Sequence, residues 1–112
     1  MAALTVQSIA KTGLTPSYDS AASGGDTFVN NGRTFFVVKN ANVGVARTVT
    51  INSLVNCNQG TDHDLSVSVP ASSEEWIGPF ERTRFNNSSN AVSATYDDEA
   101  DLTVAAIALP LS

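Results

Sequence analysis

The chain has 112 residues, the size of a single domain, and composition places it among folded chains: 42% hydrophobic residues against only 15% charged ones. Six Lys and Arg against eleven Asp and Glu give a net charge of −5, so no basic patch is expected to hold nucleic acid phosphates. One Cys and one His exclude an internal disulfide, a Cys-based zinc finger and any site needing two histidines.

Apolar segments are short and separated by turn residues. Leu4–Ile9 alternates Leu4 and Val6 against Thr5 and Gln7, with a slip at Ile9. Ser17–Ser23 is the best place for a single helical turn. Arg33–Asn40 is a continuous aromatic and β-branched run, which suits a strand covered on both faces. Arg47–Ser53 sets Val49 and Ile51 against Thr48, Thr50 and Asn52, and Leu65–Val69 sets Leu65, Val67 and Val69 against Ser66 and Ser68. Glu74–Gly78 is a shorter strand around Trp76. Ala91–Tyr96 opposes Val92, Ala94 and Tyr96 to Ser93 and Thr95. Leu102–Leu109 carries Leu102, Val104, Ala106 and Ala108 on one side, and Ala105, Ile107 and Leu109 on the other.

Between these runs stand Ser23-Gly24-Gly25-Asp26, Asn30-Asn31-Gly32, Asn40–Gly44, Asn56–Gly60, Pro70–Ser73, Gly78-Pro79, Asn86–Asn90 and Asp97–Asp101. Gly supplies positive φ, and Asn and Asp tolerate it while bonding to nearby backbone. Strands that alternate apolar with Ser or Thr must bury one face, and two sheets packed face to face satisfy that. The expectation is all-β: one antiparallel β-sandwich of seven or eight strands over residues 1–112, with short flexible ends at 1–3 and 110–112. A jelly roll and an immunoglobulin-like order both fit. No run approaches the ~20 apolar residues of a membrane span. The opening Met1-Ala2-Ala3-Leu4-Thr5 lacks the regions of an export signal, so synthesis in the cytoplasm is expected.

Residues able to do chemistry are few. His63, in Thr61-Asp62-His63-Asp64, has no nucleophile-elbow motif to serve, and Cys57 has no cationic neighbour in sequence to lower its pKa. Both read as loop residues. Asp97-Asp98-Glu99-Ala100-Asp101 is dense in oxygen ligands, but its spacing departs from the calcium-loop pattern and no Gly follows, so it reads as a charged turn. Trp76, Phe80, Phe85, Tyr18 and Tyr96 are candidates for a sugar-binding platform or for core filling. In Pro79-Phe80-Glu81-Arg82-Thr83-Arg84-Phe85, Arg82 and Arg84 are the candidate contact residues, because Arg bonds carboxylates bidentately and is enriched in protein interfaces. No catalytic residue, metal ligand or cofactor is assigned.

Several fragments in order carry a resemblance. They are Gly24-Gly25-Asp26 with Phe28 and Asn30; Gly32-Arg33-Thr34-Phe35; Val37-Val38-Lys39-Asn40; Thr48-Val49-Thr50; Val67-Ser68-Val69-Pro70-Ala71; Ile77-Gly78-Pro79-Phe80; Arg84-Phe85-Asn86; and Val104-Ala105-Ala106-Ile107-Ala108-Leu109. Together, from Leu4 to Leu109, the layout resembles the small capsid decoration (cement or stapling) proteins of tailed bacteriophages. The resemblance implies a jelly-roll-like sandwich that binds the outer surface of an assembled head. There it bridges neighbouring major capsid subunits, often as a dimer or trimer, without touching DNA and without enzymatic activity. The expected location is the virion surface. The alternative, from the aromatic residues, is a carbohydrate-binding β-sandwich module.

Overall fold

The computed structural model describes residues 2–10, 12–53, 64–80, 82–86 and 90–109, leaving aside the side chains of residues 83 and 84. Its strands are β1 (Ala2–Ala3), β2 (Val6–Ser8), β3 (Asp19–Ser20), β4 (Asp26–Val29), β5 (Thr34–Asn40), β6 (Arg47–Ile51), β7 (Leu65–Val69), β8 (Glu74–Ile77), β9 (Ala91–Tyr96) and β10 (Leu102–Ala108). Sheet A has the order β1-β4-β9-β6-β7, and sheet B the order β2-β10-β5-β8, with β3 also on β10. The antiparallel pairs nest inside one another: β6 with β7, β5 with β8, β4 with β9, β3 with β10. A long ribbon of paired strands is thus wound over itself, which is the jelly-roll order and not the immunoglobulin one.

Three expectations are corrected, the first being the strand count, ten among the described residues against the seven or eight expected. The sheets are mixed, because β1 lies parallel to β4 and β2 parallel to β10. One N-terminal segment runs along the edges of both sheets, giving its first residues to sheet A and the next to sheet B. Ser17–Ser23 is not helical: Asp19–Ser20 serves the edge of β10, and the one helical turn, α1, is Arg82–Phe85. β4 was hidden in the sequence by its brevity, yet its inward Phe28 is among the largest fully buried side chains.

The strand alternation decides what fills the core. Phe28, Phe36, Val38, Val49, Ile51, Val69, Val92, Ala94, Leu102, Val104 and Ala106 point between the sheets. Phe28 stacks on Phe36 at 5.2 Å between centroids and meets Phe80 at 5.7 Å, and Phe80 meets Phe85 edge-on at 5.3 Å. This row of rings runs from mid-core to the end closed by α1. Each fully buried side chain of this size contributes ~1.5–3 kcal/mol.

A buried Asn locks each end. Asn30 donates to the Phe80 carbonyl (3.0 Å) and to Asn86 Oδ1 (2.8 Å), and accepts from the Gly32 amide (2.9 Å). At the other end Asn40 donates to the carbonyls of Val45 (2.9 Å) and Val69 (3.1 Å) and accepts from the Asn42 amide (3.0 Å). These amides satisfy backbone groups that strands leave unpaired where the chain changes sheet.

Candidate functional site

The two outer faces of the sandwich differ in chemistry. On sheet A the residues opposite the core are Thr27 and Val29 on β4, Thr48 and Thr50 on β6, Ser66 and Ser68 on β7, and Ala91, Ser93 and Thr95 on β9. Register brings them together. Thr27 lies beside Ser93, Thr95 beside Thr50, Thr50 beside Ser66, and Thr48 beside Ser68. Strands ~4.8 Å apart and side chains on every second residue turn three separate motifs into one lattice of hydroxyls. None of these nine outward positions is charged.

The acidic turn beside this face is spent on structure. Asp97 accepts from the Thr48 amide (3.0 Å), Asp98 accepts from the Ala100 amide (3.0 Å) and pairs with Arg47 at 3.4 Å, and Asp101 accepts from Asn42 (3.1 Å). Asp101 sits at φ 65°, a left-handed conformation that Asp tolerates. Among the described residues no three His, Cys, Asp or Glu converge as metal ligands would. Cys57 and His63 lie outside the described residues.

Inside sheet A, Asp26 is fully buried and accepts from the Tyr96 hydroxyl at 2.5 Å and from the Ala22 amide at 3.2 Å. Burial holds the Tyr96 phenol far above its ordinary value, and the hydrogen bond and charge of Asp26 add to the shift. Tyr96 therefore faces the core, while Trp76 is on the outside of sheet B. Of the five aromatic candidates, Tyr96 thus serves the core and shares no surface with Trp76. Phe80 and Phe85 are buried as well.

The outer face of sheet B is partly covered. Ile9, Leu14 and Tyr18 pack over Val37, Ala105 and Ile107. The slip at Ile9 marks this change of side: Leu4 and Val6 face the main core, Ile9 the outer one. The covering loop is pinned where the Gln7 side chain bonds both backbone groups of Ser17, donating at 2.7 Å and accepting at 2.8 Å. Tyr18 is thereby fixed between two charges. The Lys39 ammonium rests 3.9 Å from its ring centroid, and its hydroxyl donates to Glu74 at 3.1 Å. Desolvation, helped by Glu74, raises the Tyr18 pKa. A shallow cavity of about 360 Å³ opens alongside, lined by Lys39, Asn40, Ser72, Ser73, Glu74 and Thr103 among others.

Of the two arginines singled out from sequence, Arg82 is exposed, with its side chain alongside Gly32: an added Cβ there would meet Arg82 Cγ at 3.7 Å. The Arg84 side chain lies outside the described residues. The hydroxyl face had a signal in Thr48-x-Thr50, Ser66-x-Ser68 and Ser93-x-Thr95, but only register shows that these adjoin. The Lys39–Tyr18–Glu74 group had none, because its members come from three distant segments. A scan against protein-family models, a search of curated proteins and a search of solved structures each returned no match.

Proposed function

We propose that this chain is a structural virion protein that binds the outer surface of an assembled phage head and staples neighbouring major capsid subunits. The observation that carries the reading is the uncharged hydroxyl face of sheet A. A broad contact loses little to desolvation when neither ions nor unpaired amides must be stripped of water. Hydroxyls rotate to match donors or acceptors on a partner, and Val29 adds an exposed apolar point at one margin. Behind that face the inward residues are tightly buried, so the surface is held rigid and little conformational entropy is lost on docking. The sequence resemblance to decoration proteins supports the same role. Many copies on one shell add avidity, so single contacts need not be strong. The chain acts in this reading as a dimer or trimer on the capsid, with Arg82 at the edge of the contact.

The experiment is co-sedimentation of the purified protein with expanded heads that lack it, with unexpanded heads as control. Saturation at a fixed ratio to the capsid subunit, with heads that withstand higher temperature, is the expected result. Failure to bind the cognate heads removes the reading.

A further inference from the structure

We propose that the outer face of sheet B carries a binding site for a neutral saccharide chain, with Trp76 as stacking platform and Glu74 and Lys39 as the polar contacts beside it. Trp76 is 49% exposed on an edge strand, although a Trp of a small domain usually goes to the core. Its ring is braced from one side by Phe35, at 6.5 Å between centroids and 63° between planes. Val37, directly across from Trp76, is fully buried under the covering loop, and the exposed groups on its other side are polar. Glu74 is two residues earlier on the same strand, so it projects from the same face. Lys39 is directly across from Glu74, and Thr103 directly across from Lys39.

That grouping fits a pyranose better than a protein partner. A sugar ring offers one apolar C–H face and a rim of hydroxyls, and an indole ring beside a carboxylate and an ammonium matches both. A protein-docking patch would surround Trp76 with further exposed apolar side chains. Of the other exposed large apolar residues, Val29 belongs to sheet A and Val43 and Val45 to the turn after β5, while Leu109 follows Ile107 on the outer side of sheet B, two strands away from Trp76. The polar groups are also held in place beforehand. Tyr18 bonds Glu74 and carries Lys39 on its ring, and Gln7 fixes the loop that brings Tyr18 there. The ammonium makes no ion pair among the described residues and keeps its donors for a ligand. The cavity of about 360 Å³ is at the small end of the ~300–1,000 Å³ of ligand sites, enough to receive a ring next to the one on Trp76. The charge of Glu74 and the net −5 of the chain disfavour acidic sugars, hence the choice of a neutral chain. If sheet A docks on a shell, this face points outward, but the site itself does not depend on that reading.

Trp76 is the single tryptophan, so its fluorescence reports on this site alone. The test titrates the full chain, without heads, with maltohexaose, cellohexaose and chitohexaose. A saturable change in emission with one of them is expected, with a Kd on the order of 0.1–1 mM for so shallow a site. Calorimetry should then show binding at least tenfold weaker in both Trp76→Ala and Glu74→Ala. Thr50→Ala, on the opposite face, should bind like the parent. No response to any of the three up to ~10 mM overturns the proposal. Binding that survives both substitutions overturns it too, because the sugar then sits elsewhere. If heads shield Trp76 from a soluble quencher while no oligosaccharide does, the face is a protein contact and the proposal falls. A negative sugar result leaves head binding by sheet A unaffected, since the heads are assayed separately.

Discussion

The two sheets solve the same problem differently. Sheet A buries one side and leaves the other as bare hydroxyls; sheet B buries one side and covers part of the other with Ile9, Leu14 and Tyr18. The difference is written in the strands. β6, β7 and β9 alternate apolar with Ser or Thr, so their outer positions need no cover. β5 and β10 carry Val37, Ala105 and Ile107 on the outside, and these require a second apolar layer. The covered face gains Tyr18, and with it a fixed pair of charges. The bare face gains uniformity. A rigid scaffold can thus present two chemically distinct surfaces, back to back, within about 20 Å.

The sharpest way to break the comparison is at Thr95 and Tyr96, neighbours that face opposite ways. Tyr96→Phe removes the hydroxyl that Asp26 needs, and chemical denaturation should show a loss of about 3 kcal/mol. Thr95→Ala should change stability by less than ~0.5 kcal/mol. Next in size is the effect of charge on the bare face. Thr50→Glu combined with Ser68→Glu should weaken head binding by about 100-fold, or ~2.7 kcal/mol, with little change in melting temperature. Equal weakening by Glu74→Ala would erase the distinction between the faces. Thinning the cover of sheet B with Leu14→Ala should cost about 1–2 kcal/mol, since Leu14 is only partly buried, and should speed amide exchange in β3 before β7.

The smallest effect is in pH. A phenol with a raised pKa keeps its proton in the folded chain and releases it in the unfolded chain above pH ~10. Stability from Tyr96 is therefore complete below pH 10 and declines as pH rises beyond it. Denaturation curves from pH 8 to 11 should show that decline, and Tyr96→Phe should remove most of it. Tyr18 shifts in the same direction and accounts for a remainder.

Much of this fold was legible because alternation and turn residues are local. The inward positions of β6, β7, β9 and β10 are those their patterns predict, and the strand in Arg33–Asn40 is covered on its inner face but on its outer face chiefly at Val37, with Phe35 half-buried and Lys39 exposed. Short pairings were not legible. β4 is four residues between Gly-rich and Asn-rich turns, and β1 and β3 are two residues each. Such segments are strands only because a neighbour's edge bonds them, which is tertiary information. The same limit hid the candidate sites. Thr50 and Ser66 read as isolated polar residues until register sets them side by side, and Tyr18, Lys39 and Glu74 share no local signal.

In the proposed role, sheet A is the face that contacts the shell. A cryo-electron microscopy reconstruction of expanded heads saturated with the protein tests it most directly. The expected density has β6, β7 and β9 facing the shell, with Thr50 and Ser68 against capsid subunits and Trp76 turned to solvent. Density that seats sheet B or either Asn-locked end on the shell, with the hydroxyl face exposed, would contradict it.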